Sequence, residues 1–190
     1  MIRFYRQHHP YTRFGAANSV TLVRALLTMG LGGFAIAPPT SRLAWVAGLT
    51  AGLIAALDGV DGWLARREGV YSSFGARFDM ETDAALLLVL SILAWHYDKA
   101  GPWVLLIGSM RYLFVAAGWL MPWLTGPLTP TRRGRVIAVV QMVTLAIILV
   151  IRPSIASAAC AISLALLVWS FAVDVGRLWN NRESRIANRD

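Results

Sequence analysis

The feature that most constrains this chain is a series of six apolar segments, each close to the length that crosses a lipid bilayer. Turn-forming or charged residues separate the segments, as at Pro38-Pro39 and Arg152-Pro153. About 20 helical residues span a hydrocarbon layer of roughly 30 Å, and apolar residues make up 57% of the chain. We therefore predict an all-α integral membrane protein with six transmembrane helices in a single membrane domain over residues 1–190. The segments are residues 16–37, 43–63, 74–95, 103–124, 135–151 and 155–175.

The basic residues predict which way the chain crosses the membrane. They concentrate at the segment ends that share a side with the N-terminus, and cytoplasmic loops are rich in Arg and Lys. Both termini are therefore predicted to be cytoplasmic at an inner membrane, with residues 1–14 as an interfacial segment and residues 180–190 as a cytoplasmic tail. The net charge of +8 fits contact with anionic membrane lipids, and the sequence contains no nucleic-acid-binding motif. A single cysteine, Cys160, excludes an internal disulfide framework and a cysteine-based zinc site.

Four aspartates lie inside the second and third predicted spans, near their cytoplasmic ends: Asp58, Asp61, Asp79 and Asp83. Spacings of three and four residues place each pair on one helix face, and consecutive antiparallel helices can bring the two faces together. A carboxylate at the membrane centre costs about 2.5–3.5 kcal/mol, and four neighbouring carboxylates repel one another unless they become protonated or share cations. Oxygen ligands without His or Cys are typical of Mg²⁺ or Mn²⁺ sites. The aspartates therefore predict a divalent-metal site that opens to the cytoplasm.

Other interpretations of the four carboxylates stay open at this point. The aspartates can instead pair with arginines that flank the same spans, Arg66, Arg67 and Arg77. Intramembrane carboxylates also mark ion paths, so a divalent-cation transporter is the main alternative function, and a non-catalytic scaffold is a third. Spans 2 and 3 carry no charged residue beyond Asp58 and Asp83 towards the outer face, which favours a one-sided site over a path through the membrane.

The aspartates belong to a longer pattern, D-x2-D-G-x2-A-R-x8-G-x3-D-x3-D, which begins at Asp58 and ends at Asp83. The pattern resembles the signature of the CDP-alcohol phosphatidyltransferases, and the six-span layout resembles that family over nearly the whole chain. The resemblance implies an enzyme of phospholipid synthesis that moves a phosphatidyl or similar substituted-phosphate group from CDP-diacylglycerol, or a related CDP-linked lipid, to a polar alcohol and releases CMP. It also implies two divalent ions and a homodimer. The fixed positions are Asp58, Asp61, Gly62, Ala65, Arg66, Gly75, Asp79 and Asp83.

The resemblance implies a role for each of these residues. Asp58, Asp61 and Asp79 would bind one metal ion. Asp58, Asp79 and Asp83 would bind the other, and Asp83 would also be the general base for the acceptor hydroxyl. Small residues and Arg66 would line the CDP pocket, and an N-x2-T-x2-R element in the first span is similar to a family element near the nucleotide. In the other interpretation, Arg66 is an ordinary cytoplasmic arginine and the polar residues of span 1 bond a neighbouring helix. The predicted CDP contacts are Gly62, Ala65, Arg66, Gly75, Asn18 and Thr21.

Arginines in and after the fourth span are the predicted acceptor contacts: Arg111, Arg132, Arg133 and Arg135. Together they can bind an alcohol that carries a phosphate, such as glycerol 3-phosphate. Family members that make phosphatidylglycerophosphate often carry G-K-x-K-T-x-x-Q here, whereas this chain has G-R-V-I-A-V-V-Q from Gly134. The acceptor therefore stays open among glycerol 3-phosphate, an inositol compound and other polar alcohols. Alternatively, Arg111 pairs with an aspartate and the loop arginines only set the topology. In the last span, Asp174 and Arg177 are predicted to form a local ion pair.

Overall fold

The architecture comes from a computed structural model, which describes residues 15–68, 73–126 and 131–187. Six long helices occupy these ranges, and the same ranges contain no β-strand. Short 3-10 helices lie in the connections, at Gly33–Ala35, Pro102–Val104 and Pro122–Thr125. The long helices are α1 (Ala16–Gly32), α2 (Ser41–Glu68), α3 (Ser73–His96), α4 (Leu105–Leu120), α5 (Arg132–Ile148) and α6 (Pro153–Ala187).

Each predicted apolar segment corresponds to one long helix, but several helices end elsewhere. Helix α2 continues to Glu68 and α6 to Ala187, beyond the apolar residues of each segment. Loss of apolar character marks where a helix would leave the hydrocarbon, whereas Arg, Glu and Ala still favour helix in water. Helix α6 therefore includes most of the tail predicted from residue 180 onwards. The predicted interfacial segment, residues 1–14, lies outside the described residues.

Three of the six helices are long and apolar enough to cross a membrane: α2, α4 with the turn before it, and α6. Helices α1 and α5 have 17 residues each, fewer than the about 20 that a span needs. Helix α3 is long enough, but charged residues crowd its first half, among them Asp79 and Asp83. The all-helical prediction is confirmed for the described residues, and the count of six membrane crossings stays a prediction.

Local sequence signals explain several helix ends. The hydroxyl of Thr40 accepts a hydrogen bond from the backbone N–H of Leu43 (3.3 Å) at the start of α2. The hydroxyl of Thr131 accepts one from the N–H of Gly134 (3.1 Å) at the start of α5, and both bonds satisfy N–H groups that a helix leaves unpaired at its N-terminus. Asp98 has a φ of 51°, a left-handed conformation that stops α3 from continuing.

Helix α1 packs against both α2 and α3, and α5 packs against α2, α3 and α6. Leucines of α3 and α5, among them Leu90 and Leu145, are fully buried where these helices meet. Many apolar side chains on the outside are exposed, with Trp119 and Leu120 of α4 among them. Such a surface suits contact with lipid, because hydrocarbon does not penalise exposed apolar groups. The packing leaves α1 in contact with the two helices that carry Asp58, Asp79 and Asp83.

Helices α3 and α4 approach one another almost to backbone contact at Gly108. A Cβ atom at this position would lie 2.5 Å from Cα of Leu88 and 2.7 Å from the carbonyl oxygen of Leu87. Only glycine leaves room for so close an approach. The place of α3 in the bundle is therefore fixed by the main chain of α4.

A pair of neutral hydrogen bonds joins α5 to α6. The Gln141 amide nitrogen donates to the carbonyl oxygen of Ser163 (2.8 Å), and the Ser163 hydroxyl donates to the Gln141 amide oxygen (2.6 Å). Both side chains are buried. The two side chains therefore satisfy one another's hydrogen-bonding groups, as buried polar groups between membrane helices require.

Candidate active site

Three carboxylates from two helices meet near the start of α3. One oxygen atom from each of Asp58, Asp79 and Asp83 lies within 4.8 Å of the other two. Asp79 and Asp83 are one turn apart on the same face of α3, and Asp58 reaches them from α2. The side chains are between 31% and 41% exposed, so a ligand can approach them. The structure brings together three of the four predicted metal ligands.

The guanidinium group of Arg24, on α1, contacts all three of these carboxylates. Its Nη1 atom lies 2.7 Å from Oδ1 of Asp79. Its Nη2 atom lies 2.5 Å from Oδ1 of Asp83 and 2.8 Å from Oδ1 of Asp58. The Arg24 side chain is completely buried. A single cation therefore links α1, α2 and α3.

The N-x2-T-x2-R element that ends at Arg24 was expected either to lie near the nucleotide or to bond a neighbouring helix, but the three aspartates were not named as partners of Arg24. A signal for this contact was present in α1. The buried residues of this helix are almost all polar: Asn18, Thr21, Arg24 and Thr28, with Leu31 as the exception. Polar residues that recur at helical spacing in an apolar helix face the interior of the bundle, because the lipid-facing side would leave them unsatisfied.

The donor set fits a divalent metal. Three carboxylates carry three negative charges, Arg24 supplies one positive charge, and the net charge of the described group is negative. Oxygen ligands of one Mg²⁺ ion lie at about 2.0–2.1 Å from it, so they are at most about 4.2 Å apart. The observed limit of 4.8 Å is close to that value. The ligands need only a small shift to share an ion, although the Arg24 guanidinium now lies among them.

Four of the predicted site residues lie where the structure gives the backbone of α2 but no side-chain positions: Asp61, Gly62, Ala65 and Arg66. Asp61 follows Asp58 by three residues in the same helix, which places both on one face. The roles of these four residues stay predictions. The alternative partners Arg66 and Arg67 lie in the same stretch.

The other predicted CDP contacts lie on α1 and α3, the helices that carry Arg24 and two of the carboxylates. Asn18 and Thr21 are buried on the face of α1 that also carries Arg24. The Thr21 hydroxyl donates to the carbonyl oxygen of Ala17 (3.1 Å), a bond within its own helix. Gly75 is half-buried, one turn before Asp79 in α3. These three residues therefore border the acidic group without contributing a charge to it.

Arg111 is paired with a carboxylate outside the acidic group. Its Nη2 and Nε atoms lie 2.6 Å and 3.4 Å from the two carboxylate oxygens of Glu81. Glu81 is two residues from both Asp79 and Asp83, which places it on roughly the opposite side of α3. An ion pair of Arg111 was one of the two expectations, but its partner is a glutamate and not an aspartate.

The arginines at the start of α5 form a second charged group with α6. The Arg133 Nη2 atom lies 2.5 Å from Oδ1 of Asp174, and the Arg133 guanidinium stacks 5.4 Å from the ring centre of Trp169. Arg177 is farther from Asp174, at 3.8 Å. The prediction of a local Asp174–Arg177 pair therefore missed the closer partner, which comes from another helix. Arg132 and Arg135 are exposed beside this group.

An apolar groove of about 630 Å³ lies between α1 and α3, on the Glu81 side of α3. Met29, Phe78 and Val89 are among its lining residues. Among the residues that the structure describes, none of Asp58, Asp79 and Asp83 lines this groove, although the Glu81 carboxylate borders it. The groove therefore lies apart from the three clustered aspartates.

The sequence profile of the family described as CDP-alcohol phosphatidyltransferase matches residues 14–169. A phosphatidylinositol phosphate synthase from Corynebacterium glutamicum is 41% identical over 110 residues, which cover 53% of this chain. The matched part corresponds to 49% of that relative, so the chain spans about half the length of the curated relative it matches. The family match includes α1 to α5, the first half of α6, and Asp58, Asp79 and Asp83.

Proposed function

This chain belongs to the CDP-alcohol phosphatidyltransferase family, and from that premise we propose that it transfers a phosphatidyl or similar substituted-phosphate group from CDP-diacylglycerol, or a related CDP-linked lipid, to a polar alcohol. Members of the family use a CDP-alcohol donor, an alcohol acceptor and divalent metals. The observation that carries the proposal is the convergence of the Asp58, Asp79 and Asp83 oxygens. Such a group can hold cations against a diphosphate, which is the main demand of phosphoryl transfer.

The proposed metal ligands divide into two sets that share members. Asp58, Asp61 and Asp79 are assigned to one Mg²⁺ or Mn²⁺ ion. Asp58, Asp79 and Asp83 are assigned to the other. When bound, such ions supply positive charge that neutralises the diphosphate of the donor. The part of the chain is to hold ligands from α2 and α3 at fixed separation, so that the donor is bound in one orientation.

Asp83 is assigned as the general base. Its carboxylate would accept the proton of the acceptor hydroxyl, and the hydroxyl oxygen would form a bond to the phosphorus on the lipid side of the donor. The bond from that phosphorus to the CMP oxygen breaks, and CMP leaves with the electron pair. Asp83 is one-third exposed, so a hydroxyl in the site can come within hydrogen-bond distance of it.

The CDP part of the donor is assigned to the residues around the carboxylates. Gly62, Ala65 and Gly75 would leave space for the cytidine and ribose, because their side chains are minimal. Arg66 would bind a phosphate oxygen. Asn18 and Thr21 on α1 would supply polar contacts, and their burial beside Arg24 supports a place next to the acidic group.

A phosphorylated alcohol is the acceptor that the charges favour. The relative is named a phosphatidylinositol phosphate synthase, and a phosphatidyl group joined to an inositol phosphate gives such a product. Arg133 and Arg177 share the single carboxylate of Asp174, so this region carries excess positive charge, to which Arg132 and Arg135 add. Arg111 is a further proposed contact for the acceptor. We therefore place the acceptor phosphate at the α5–α6 arginines, with inositol phosphate and glycerol 3-phosphate as the main candidates.

The membrane arrangement belongs to the same proposal. Helices that are apolar enough to span a membrane and the family's membrane setting indicate a membrane protein. We propose that residues 1–190 form one domain with both termini and the site on the cytoplasmic side, in an inner membrane. The positive-inside distribution of arginines supports this orientation. A homodimer is part of the proposal through the family alone.

The test is an assay of CMP release by the purified full-length chain with CDP-diacylglycerol. Inositol phosphate, glycerol 3-phosphate, inositol and glycerol are compared as acceptors, each with Mg²⁺, with Mn²⁺ and with chelator. We expect CMP release that needs both a divalent ion and an acceptor and is fastest with a phosphorylated alcohol. The Asp79→Asn variant should release no CMP.

Two results would contradict the proposal. The first is the absence of CMP release with every acceptor and ion. The second is CMP release that continues unchanged in chelator. Divalent-ion flux into proteoliposomes, without CMP release, would instead support the transporter interpretation.

A further inference from the structure

Arg24 has more carboxylate partners than its single positive charge requires. Its side chain is completely buried, and its two terminal nitrogens contact Oδ1 of Asp58, Asp79 and Asp83 at 2.5–2.8 Å. One hydrogen-bonded carboxylate would be enough to balance its charge. Because three carboxylates surround one guanidinium, we interpret Arg24 as a counter-charge for the carboxylates. The carboxylates are more numerous than the charge of Arg24 requires.

A guanidinium and a divalent ion make competing demands on such a group. Both take the lone pairs of carboxylate oxygens, and the oxygens that Arg24 contacts belong to the residues proposed as metal ligands. The two cations would also repel one another at these distances, and burial strengthens that repulsion. Each carboxylate has a second oxygen, Oδ2, that can bind a metal ion, but repulsion between the two cations means that full contact of Arg24 with all three carboxylates weakens metal binding.

Arg24 cannot simply leave the site when metal binds. It lies on the interior face of α1 with Thr21 and Thr28, and the Thr28 hydroxyl donates to the carbonyl oxygen of Arg24 (2.8 Å). A buried cation without any partner is strongly unfavourable. The guanidinium must therefore keep part of its contacts and give up the rest.

We infer that Arg24 is a resident counter-cation of the acidic group: it holds Asp58, Asp79 and Asp83 together when metal is absent and withdraws from at least one of them when metal binds. The inference rests on the metal site of the proposed function. It makes Arg24 a positioning residue that lowers metal affinity while keeping the ligands assembled. It also couples the position of α1 to metal loading.

The test measures Mn²⁺ binding to the purified full-length chain by electron paramagnetic resonance of the free ion. We expect Arg24→Gln to bind Mn²⁺ about tenfold more tightly than wild type, because one positive charge within hydrogen-bond distance of the ligands is removed. Arg24→Lys, which keeps the charge, should bind close to wild type. Arg42→Gln is the control, since it removes an exposed arginine at the far end of the helix that carries Asp58, and its Mn²⁺ affinity should equal that of wild type.

Thermal unfolding gives a second readout. In chelator, Arg24→Gln should unfold at a lower temperature than wild type, because the carboxylates then repel without a counter-charge. Added Mn²⁺ should raise the unfolding temperature of Arg24→Gln by more than that of wild type. If Arg24 had only a structural role, Arg24→Gln should bind Mn²⁺ more weakly than wild type, because its loss would disorder the site.

The outcomes separate this inference from the proposed function. If wild type binds no Mn²⁺ that depends on Asp79, the metal site itself is wrong and the inference falls with it. If wild type binds Mn²⁺ but Arg24→Gln binds it equally or more weakly, only the role of Arg24 is wrong.

Should Arg24→Gln not fold, nitrogen-15 signals of the Arg24 guanidinium in wild type decide the question. Slow hydrogen exchange in chelator that becomes faster with Mg²⁺ supports withdrawal from the carboxylates. Exchange that Mg²⁺ leaves unchanged overturns it.

Discussion

The charged groups of this protein fall into two regions with opposite imbalance. Around α1 to α3, Asp58, Asp79 and Asp83 all contact the guanidinium of Arg24. Between α5 and α6, a single carboxylate, Asp174, serves two arginines. By contrast, Gln141 and Ser163 form a neutral pair that is joined by two hydrogen bonds. The two charged regions keep an excess of one charge after their ion pairs are counted, so each can attract a ligand of opposite charge. The neutral pair has no such excess and only holds two helices together.

The largest expected effect comes from Asp83→Asn in the negative region. Loss of the proposed base should reduce the rate of CMP release by about 10²–10⁴-fold, while Mn²⁺ binding persists through Asp58 and Asp79. The rate and the Mn²⁺ affinity are measured on the same purified sample. Asp98→Asn is the control, since Asp98 has a left-handed backbone conformation that asparagine also tolerates. An Asp83→Asn enzyme with full activity would remove the assignment.

A smaller effect is expected from Asp174→Asn in the positive region. The change leaves Arg133 without its 2.5 Å ion pair, and among the described residues the buried Nε atom of Arg133 already has no hydrogen-bond partner. Because the pair is partly exposed, we expect a loss of stability on the order of 2 kcal/mol, less than for a fully buried pair.

The matched control for this region is Arg177→Gln. Arg177 is half-exposed and 3.8 Å from Asp174, so its replacement should cost at most about 1 kcal/mol. Denaturation of both variants in the same detergent checks the difference. Equal losses would mean that the Arg177 contact accounts for the whole effect of Asp174→Asn, and that the closer Arg133 pair contributes little.

The smallest effect is expected from the neutral pair. Gln141→Leu leaves the Ser163 hydroxyl without its acceptor and should lower the free energy of unfolding by about 0.6–1.7 kcal/mol, the range found for hydrogen bonds between membrane helices. A double-mutant cycle with Ser163→Ala isolates the coupling. The rate of CMP release should stay near wild type. A large fall in rate with unchanged stability would mean that this pair, too, belongs to the functional part of the molecule.

The sequence predicts the helices better than it predicts their ends. Apolar length is a local property, so each of the six segments could be recognised without knowledge of its neighbours. The end of α6 at Ala187 was missed because residues 180–187 lose apolar character but still favour helix. Membrane crossing is harder to derive for α3, because its acidic residues are themselves the functional feature.

The site was predictable in its composition and not in its contacts. The four-residue spacing of Asp79 and Asp83 indicates one face of one helix, and this is enough to expect a shared ligand. The Arg24 contact joins residues that are 55 and 59 positions apart in the chain, and spacing does not reveal which helix lies opposite a face. The same limit hid the Arg133–Asp174 pair, whose members are 41 positions apart.

The near-contact of main chains at Gly108 divides the molecule mechanically. Helices α3 and α4 have no side-chain layer to slide on at Leu87 and Leu88, so they behave as one stiff frame. If the proposed transfer requires the site to widen for a bulky donor, we expect α1 and α2 to move relative to α3. Asp79 and Asp83 would then keep their positions on α3, while Asp58 and Arg24 would move with α2 and α1.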